Sequence, residues 1–433
     1  MHLVYLIAIE DVVRSPLIRG QVIALLRAMA GRPDMRITLV ALYPVANWLR
    51  FRRAARLLRR ELKDAGIALH ILPILFLTRL FYIPRRWLPL YLIQAWIAAV
   101  WIHFVLRPAV IHCRSYPAAL VGRWVKRWSG CPLVFDARAL YPEEGVSRIE
   151  SGKTRLLGEG DFAVWKRLEA RLIAVADAVA TVSPPMAEIL AGQYPDVAGR
   201  LLVAPACTPV PALAELAAWQ SAARQKLGLG DRPTAVYVGG WVDQDALSGL
   251  FRALRDALPA APWHFLLFIS VPNPQEVAAH LQRDLGPDVA CTARAVAPAE
   301  VIPLLAGADL AVLPVWRPVR SLADARYALV ARTILSVKFT EYLAAGLPVI
   351  VSRWAGAAAD IVRAHDLGIV YDEASAEELA AWLARWQAAR DEFRVRAWTY
   401  AREHFALEAV AAQYEELYWR KLTLLPQSHQ DTK

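Results

Sequence analysis

The N-terminal stretch restricts the fold more than any other part of the chain. Met1-His-Leu-Val-Tyr-Leu-Ile-Ala-Ile9 is apolar and stops abruptly at Glu10-Asp11, and Ser15-Pro16 follows. The run is short and lacks the basic start of a secretory signal, so it reads as a buried strand. Serine at the cap and proline at the first helical position open a helix over residues 17–30. Gly31-Arg-Pro33 ends that helix, and residues 36–42 form a second strand. Strand, helix and strand at this spacing give a parallel sheet with crossover helices. Ligands of such sheets sit beyond the carboxyl ends of the strands. The loop 10–15, with Arg14 and Ser15, is therefore predicted to line a cleft.

A second stretch carries chemistry. In Ser336-Val-Lys-Phe-Thr-Glu-Tyr-Leu-Ala-Ala-Gly-Leu-Pro-Val-Ile-Val351 a polar loop runs into a short helix, then Gly346 and Pro348, then a buried strand. Lys338 and Glu341 lie three apart and share one helix face. An ammonium beside free N–H groups at a helix start suits phosphate. A carboxylate one turn deeper can accept from the vicinal hydroxyls of a ribose, so the pair suggests a nucleotide site. An ordinary exposed Lys–Glu pair is the other reading of the same spacing.

The run resembles the donor-site motif of GT-B glycosyltransferases, specifically family 4, one branch of which carries S-P-x-K-x-x-E-Y-L-A-x-G-x-P-V-I. The resemblance implies that Lys338 faces the donor diphosphate and Glu341 holds the nucleotide ribose. The chain departs from the branch at Val337, where proline is usual. It also departs at Thr333, where the wider family has a glutamate facing the donor sugar. The implied fold is α/β, GT-B, with two Rossmann-like doubly wound domains facing across a cleft.

Length and composition fit two such domains. At 433 residues the chain has room for two or three cores. The expected division is an acceptor-binding, membrane-facing domain over 1–206 and a donor-binding domain over 207–402. A C-terminal helix over 403–433 then crosses back to the first domain. A hydrophobic share of 57% excludes disorder, and a net charge of +10 calls for an anionic partner. Cys113, Cys131, Cys207 and Cys291 are too scattered for a metal or redox motif, which makes a reducing cytosol the default.

Two segments point to a membrane. Residues 47–63 make a strongly basic amphipathic helix with Trp48, Phe51, Leu58 and Leu62 among its apolar positions. Such a helix lies on an anionic lipid surface, or else on a sheet with its apolar side inward. Residues 87–106 contain no Asp, Glu, Lys or Arg and are flanked by Arg85-Arg86 and Arg107. They pass for a transmembrane helix by length and flanks. However, residues 109–112 read as the next strand of the same sheet, and one sheet cannot straddle a bilayer. Gln94 and His103 would also be awkward in mid-span. The segment is therefore expected to be a buried or half-immersed helix, with Trp87, Trp96 and Trp101 at an interface.

Polar residues end the strands of the first half. Residues 109–112 lead into Cys113-Arg114-Ser115, and 132–135 into Asp136-Ala-Arg138. Phe135-Asp-Ala-Arg-Ala-Leu-Tyr-Pro-Glu-Glu144 resembles the F-D-x-R-G-x-W-x-x-E element of the same branch, with Ala139 for glycine and Tyr141 for tryptophan. Asp136 and His112 are the candidate catalytic groups. Arg114 and Arg138 join Arg14 and Ser15 as candidate acceptor contacts. Asp136 with Arg138 is also readable as a structural ion pair or cap, His112 as a core histidine, and Glu143 and Glu144 as exposed loop charges. Ala176-Asp-Ala-Val-Ala-Thr-Val-Ser183 resembles the family's A-D-x-V-x-x-V-S, and the proline-rich 207–213 fits an interdomain linker.

The second half repeats the pattern. A strand at 234–238 runs into Gly239-Gly240, where missing side chains let a ligand approach the backbone. The family usually places a cation shortly after this turn, and Trp241-Val-Asp-Gln-Asp245 supplies none. Arg317, Arg320, Arg326 and Arg332 of the loop 316–332 are the candidate substitutes. Further strands are expected at 263–270, 310–314, 346–352 and 367–371. The residues from 401 to 418 resemble the family's closing helix.

The expected activity is sugar transfer from a nucleotide diphosphate to a hydroxyl, and the resemblance implies retention at the anomeric carbon. The donor is a UDP- or GDP-linked nucleotide-sugar, used as a co-substrate with no cofactor or metal. The acceptor is lipid-linked or a saccharide, in polysaccharide or glycolipid assembly. The expected location is the cytoplasmic side of the membrane, held peripherally to an anionic surface, with no nucleic-acid partner. Three rival readings are a catalytically inactive GT-B subunit partnering an active enzyme, a sugar-nucleotide epimerase and a nucleic-acid-binding protein. The last fits the charge but finds no recognition motif in the chain. The basic helix argues against the epimerase, whereas Thr333 favours the inactive subunit.

Overall fold

A computed structural model of the chain describes residues 1–75, 82–147, 157–240, 244–314, 325–372 and 374–423. The chain forms two compact units. The first comprises Met1–Pro205, Arg320–Thr333 and Val410–Lys433, and the second Ala206–Val319 and Ile334–Ala409.

The first unit is built on seven parallel strands: β1 (His2–Ala8), β2 (Arg36–Pro44), β3 (Ile67–Ile74), β4 (Val110–Arg114), β5 (Leu133–Asp136), β6 (Ala178–Thr181) and β7 (Leu201–Val203). Their spatial order is β3-β2-β1-β4-β5-β6-β7. The second unit has six: β8 (Thr234–Gly239), β9 (His264–Ile269), β10 (Ala290–Arg294), β11 (Leu310–Leu313), β12 (Val349–Val351) and β13 (Gly368–Val370), in the order β10-β9-β8-β11-β12-β13. Both sheets start in the middle and wind outward twice, as a Rossmann-like sheet does. Helices cover both faces, so the central strands are apolar throughout and every residue of β1 after His2 is buried.

Local sequence explains the elements that matter for function. Ser15 caps the first helix by accepting from the Ile18 N–H at 3.4 Å, and Pro16 opens it. The helix passes through one π-type turn at Arg19–Ile23 before Ala24–Met29. The edge strand β3 was not foreseen. It contains Pro73, which an edge strand tolerates because one side of it bonds to nothing.

The basic segment expected as one helix is two, Val45–Arg50 and Arg52–Asp64, broken at Phe51. Ala55, Leu58 and Leu62 of the longer helix point into the core, so its apolar side serves folding. The apolar segment runs as Leu88–Trp101 and a π-type extension Ile102–Leu106, ended by Arg107 in the left-handed region. It is long and apolar enough to cross a membrane by length and composition, and a third of it is buried. The strands before and after it, β3 and β4, lie in one sheet, in keeping with the argument from topology.

The reading of 207–402 as one continuous domain differs from the structure at one place. The helix Ala325–Thr333 packs in the first unit, with Val330 and Ala331 buried and the Ser183 hydroxyl donating to the Thr333 carbonyl at 2.8 Å. The last helix, Leu407–Thr423, also delivers its residues from Val410 onward to the first unit.

Gly122 shows how closely the helix Ser115–Ser129 rests on β4. A Cβ there would lie 2.3 Å from Cys113 Sγ and 2.8 Å from Leu133 Cδ1. Gly122→Ala should therefore cost about 1–3 kcal/mol of stability through overpacking. In urea unfolding followed by circular dichroism, the penalty should shrink when Cys113→Ala removes the nearer atom.

Candidate active site

In the second unit the sheet reverses direction between β8 and β11, which opens a crevice at their carboxyl ends. The helix Val337–Ala344 starts at this edge. Ser336 caps it by accepting from the Lys338 N–H at 3.2 Å. Two tyrosines tie the helix to the end of β8. The Tyr342 hydroxyl accepts from the Val238 N–H at 2.8 Å, and the Lys338 ammonium donates to the Tyr237 hydroxyl at 3.4 Å while lying 5.0 Å from the centre of its ring. Neither tyrosine was singled out in the sequence. The signal available was their position, one at the end of a strand and one beside the Lys–Glu pair.

Lys338 and Glu341 are both half-buried. Burial pulls the Lys338 ammonium below the ordinary lysine range, against the pull of Glu341. Burial pushes the Glu341 carboxyl up to about 7, against the pull of Lys338. Desolvation thus disfavours the charge on both groups, as expected of a site that waits for a counter-charged or hydrogen-bonding partner. The ordinary exposed-pair reading does not fit these surroundings.

Gly239 and Gly240 play different parts. A Cβ on Gly239 would stand 2.5 Å from the Tyr237 hydroxyl, whereas one on Gly240 would meet nothing within 4 Å. The first glycine therefore makes room for Tyr237, and only the second leaves open backbone. Residues 241–243, and Arg317 and Arg320 of the expected phosphate loop, lie outside the described residues.

Arg326, Arg332 and Thr333 belong to the first unit. Arg326 pairs with Glu159 at 2.7 Å and lies 4.2 Å from the centre of the Phe162 ring. Arg332 pairs with Glu188 at 3.0 Å, and the Thr333 hydroxyl donates to the Val330 carbonyl at 2.9 Å.

The first unit has its own cluster where β1, β4 and β5 end, again at the reversal of the sheet. Arg114 donates to Glu10 at 3.3 Å and to Gln21 at 3.2 Å, and Arg138 donates to the same Gln21 oxygen at 2.7 Å. Asp136 sits between them, 3.9 Å from each guanidinium and 3.6 Å from His112 Nε2. Burial pushes the Asp136 carboxyl up. Arg138, His112 and Arg114 outweigh that and hold it below the usual carboxylate range. Burial lowers the His112 imidazole, partly offset by Asp136.

His112 is fully buried, stacked on Tyr5 at 4.3 Å, with Nδ1 bonded to the Tyr418 hydroxyl at 2.7 Å. No hydrogen bond reaches Asp136 Oδ1 or His112 Nε2 among the described residues.

Backbone strain marks the same rim. Ile9, Ser115 and Arg138 follow β1, β4 and β5, and all have positive φ, at 71°, 68° and 61°. A β-branched residue such as Ile9 rarely accepts this conformation, and strain of this kind concentrates at functional sites. Ser15 is spent on its cap, and Arg14 pairs with Asp11 at 3.0 Å and lies over the Phe51 ring. Glu143, open to reading as a loop charge, is buried with Lys166 at 3.0 Å, and Lys166 also reaches the buried Glu169.

These two strand-end sites lie on two doubly wound parallel sheets, a two-domain α/β architecture. A family described as glycosyl transferase 4-like domain matches residues 19–207, and one described as glycosyl transferases group 1 matches residues 232–388. The chain belongs to the GT-B glycosyltransferases of the family 4-like kind.

No curated protein sequence matches the chain. Among solved structures, sucrose-phosphate synthase from Thermosynechococcus elongatus is 17% identical with a TM-score of 0.64, over 98% of this chain and 100% of that one. Anabaena HepE in complex with UDP is 16% identical with a TM-score of 0.61, over 97% and 100%. The catalytic domain of starch synthase IV from Arabidopsis thaliana, bound to ADP and acarbose, is 14% identical with a TM-score of 0.59, over 98% and 99%. Likeness at these identities establishes a shared fold.

The two glycines supply a test. Gly239→Ala should displace the Tyr237 ring and lower the thermal midpoint, whereas Gly240→Ala should leave the midpoint unchanged. Equal melting of the two variants would show that Tyr237 does not set the requirement at 239.

Proposed function

We propose that the chain transfers a sugar from a nucleoside diphosphate to a hydroxyl of a lipid-linked or saccharide acceptor. The observation that carries the donor half is the capped start of the helix Val337–Ala344, with Lys338 and Glu341 half-buried at the reversal of the second sheet. The positive end of the helix and the ammonium suit a diphosphate, and the carboxylate suits a ribose. UDP in the HepE complex and ADP in the starch synthase complex are nucleotides of this class on the same fold, which supports the reading.

In the transfer, the bond from the anomeric carbon to the terminal phosphate oxygen breaks and a bond to the acceptor oxygen forms. Negative charge is left on the nucleoside diphosphate, where Lys338 and the helix start stabilise it. The proton lost by the acceptor hydroxyl goes to the departing diphosphate oxygen or to water, which balances the charge released there. Asp136, held below the usual carboxylate range by two arginines, is a weak base. We assign it and His112 to holding Arg114 and Arg138 in place, and the arginines to the acceptor side. UDP or GDP is the expected donor nucleotide. The basic helix Arg52–Asp64 favours a lipid-linked acceptor in polysaccharide or glycolipid assembly, met peripherally at the cytoplasmic face of a membrane.

Calorimetric titration of UDP, GDP, ADP and CMP should find one that binds. Glu341→Ala should weaken it roughly 10- to 100-fold, the worth of hydrogen bonds to a charged acceptor. Binding of none of them would favour the inactive-subunit reading, which Thr333 in place of a carboxylate also supports.

The raised Glu341 carboxyl sets a pH dependence. The ionised form accepts from the ribose, so affinity should rise as pH passes upward through about 7 and fall below it. Glu341→Gln should lack this component, and subtracting its titration from that of wild type removes the nucleotide's own ionisation.

A further inference from the structure

We propose that Tyr237 is a positioning residue of the donor site, holding the Lys338 ammonium at the carboxyl edge of the second sheet and aiming it at the diphosphate without neutralising it. The proposal rests on the donor half of the function above and deepens it.

No Lys or Arg stands in Trp241-Val-Asp-Gln-Asp245 after the glycine turn, so the aim of Lys338 counts for more. Glu341, three residues further along the same helix, attracts the ammonium but forms no hydrogen bond with it among the described residues. The hydrogen bond that the ammonium does make goes to the Tyr237 hydroxyl at 3.4 Å. Its nitrogen lies 5.0 Å from the centre of the same ring, within reach of a cation–π contact. A length of 3.4 Å is long for an N–H donor, so the bond orients the ammonium and yields when a phosphate oxygen approaches. A carboxylate in the tyrosine's place would pair with the lysine and cancel the charge that a diphosphate needs.

Two features bring the tyrosine to the lysine. Tyr237 and Gly239 alternate onto one side of β8 and Val238 onto the other. A Cβ on Gly239 would stand 2.5 Å from the Tyr237 hydroxyl oxygen, 2.8 Å from Cζ and 2.9 Å from Cε1. The ring therefore leans over the glycine towards the carboxyl end of the strand, which no larger residue at 239 would permit. Tyr342 sets the spacing. The register of β8 with β11 ends at Val236, and beyond it the buried Tyr342 hydroxyl accepts from the Val238 N–H at 2.8 Å. Tyr342 lies one turn after Lys338 on the helix Val337–Ala344, so this bond ties the helix start to the strand end. Lys338 then falls over the Tyr237 ring.

Packing alone does not account for the arrangement. The Tyr237 ring belongs to the apolar cluster on its side of the sheet, a place that phenylalanine would fill as well. What packing does not require is a hydroxyl over a cleared glycine, within reach of the lysine.

Calorimetric titration of the full chain with the nucleoside and the diphosphate of the base that binds (uridine and UDP, or the guanosine or adenosine pair) separates the two halves of the site. The ratio of diphosphate to nucleoside affinity reads the phosphate contacts alone. Tyr237→Phe keeps the ring and loses the hydroxyl, and should lower that ratio roughly 3- to 10-fold. Tyr237→Leu loses both and should lower it roughly 10- to 100-fold. Nucleoside affinity should be unchanged in each. In a Lys338→Met background, where no ammonium is left to hold, Tyr237→Phe should have no further effect. Glu341→Ala should do the converse, weakening the nucleoside and preserving the ratio.

Three outcomes would overturn the proposal while the donor reading stands. They are an unaltered ratio in both tyrosine variants, an equal weakening of nucleoside and diphosphate, which marks a structural role, and a Tyr237→Phe effect that persists without Lys338. Binding of no nucleotide by wild type would overturn the donor reading and this proposal with it.

Discussion

The structure depends on one topological constraint, the reversal of winding in a parallel sheet. Right-handed crossovers place successive helices on one face until the chain returns to the centre and winds the other way. At that point two neighbouring strands send their connections to opposite sides, and the carboxyl edge is left open. It happens between β1 and β4 in the first unit and between β8 and β11 in the second. Glu10, Arg114 and Asp136 lie at the first of these edges, and Gly240 and Lys338 at the second. Strand order therefore fixes where chemistry can occur before any side chain is considered.

The two edges use charge in opposite ways. In the first unit, arginines and carboxylates compensate one another: Arg114 faces Glu10 and Asp136, and Arg138 faces Asp136. Such a cluster is held rigid by its own pairing, and the positive φ values at Ile9, Ser115 and Arg138 show the backbone bent to bring its members together. In the second unit, Lys338 and Glu341 are desolvated without a close mutual bond, and burial works against the charge on each. The first arrangement is assembled without a ligand. The second is left under-compensated, and a diphosphate with a ribose would supply the missing partners for both groups.

Much of this was legible in the sequence, for reasons that differ from element to element. β1, the Ser15 cap and Pro16 could be read because the signals are local. Lys338 and Glu341 could be read because one helical turn fixes their relation. β10, with the sequence Ala-Cys-Thr-Ala-Arg, was missed because a half-exposed edge strand has little apolar pattern. The break at Phe51 has no proline or glycine to announce it. The burial of Glu143 depends on Lys166, a partner on another helix that no short window contains. Tyr237 was invisible for a similar reason, since its contact with Lys338 joins positions 101 apart in the chain.

The non-contiguous makeup of the first unit has a consequence for its chemistry. The aromatic wall around His112 is formed by Tyr5 from the first strand and by Tyr414 and Tyr418 from the last helix. Tyr418 bonds His112 Nδ1, and with that nitrogen engaged the imidazole is held with Nε2 towards Asp136. Arg32 likewise pairs with the buried Glu415 of the same helix. A chain ending before Val410 would leave the Tyr5 and His112 rings uncovered and the orientation of His112 unset. It would retain every strand of both sheets, so the parallel framework could form while the strand-end cluster lacked its support. The site of the first unit is thus completed by the last helix of the chain.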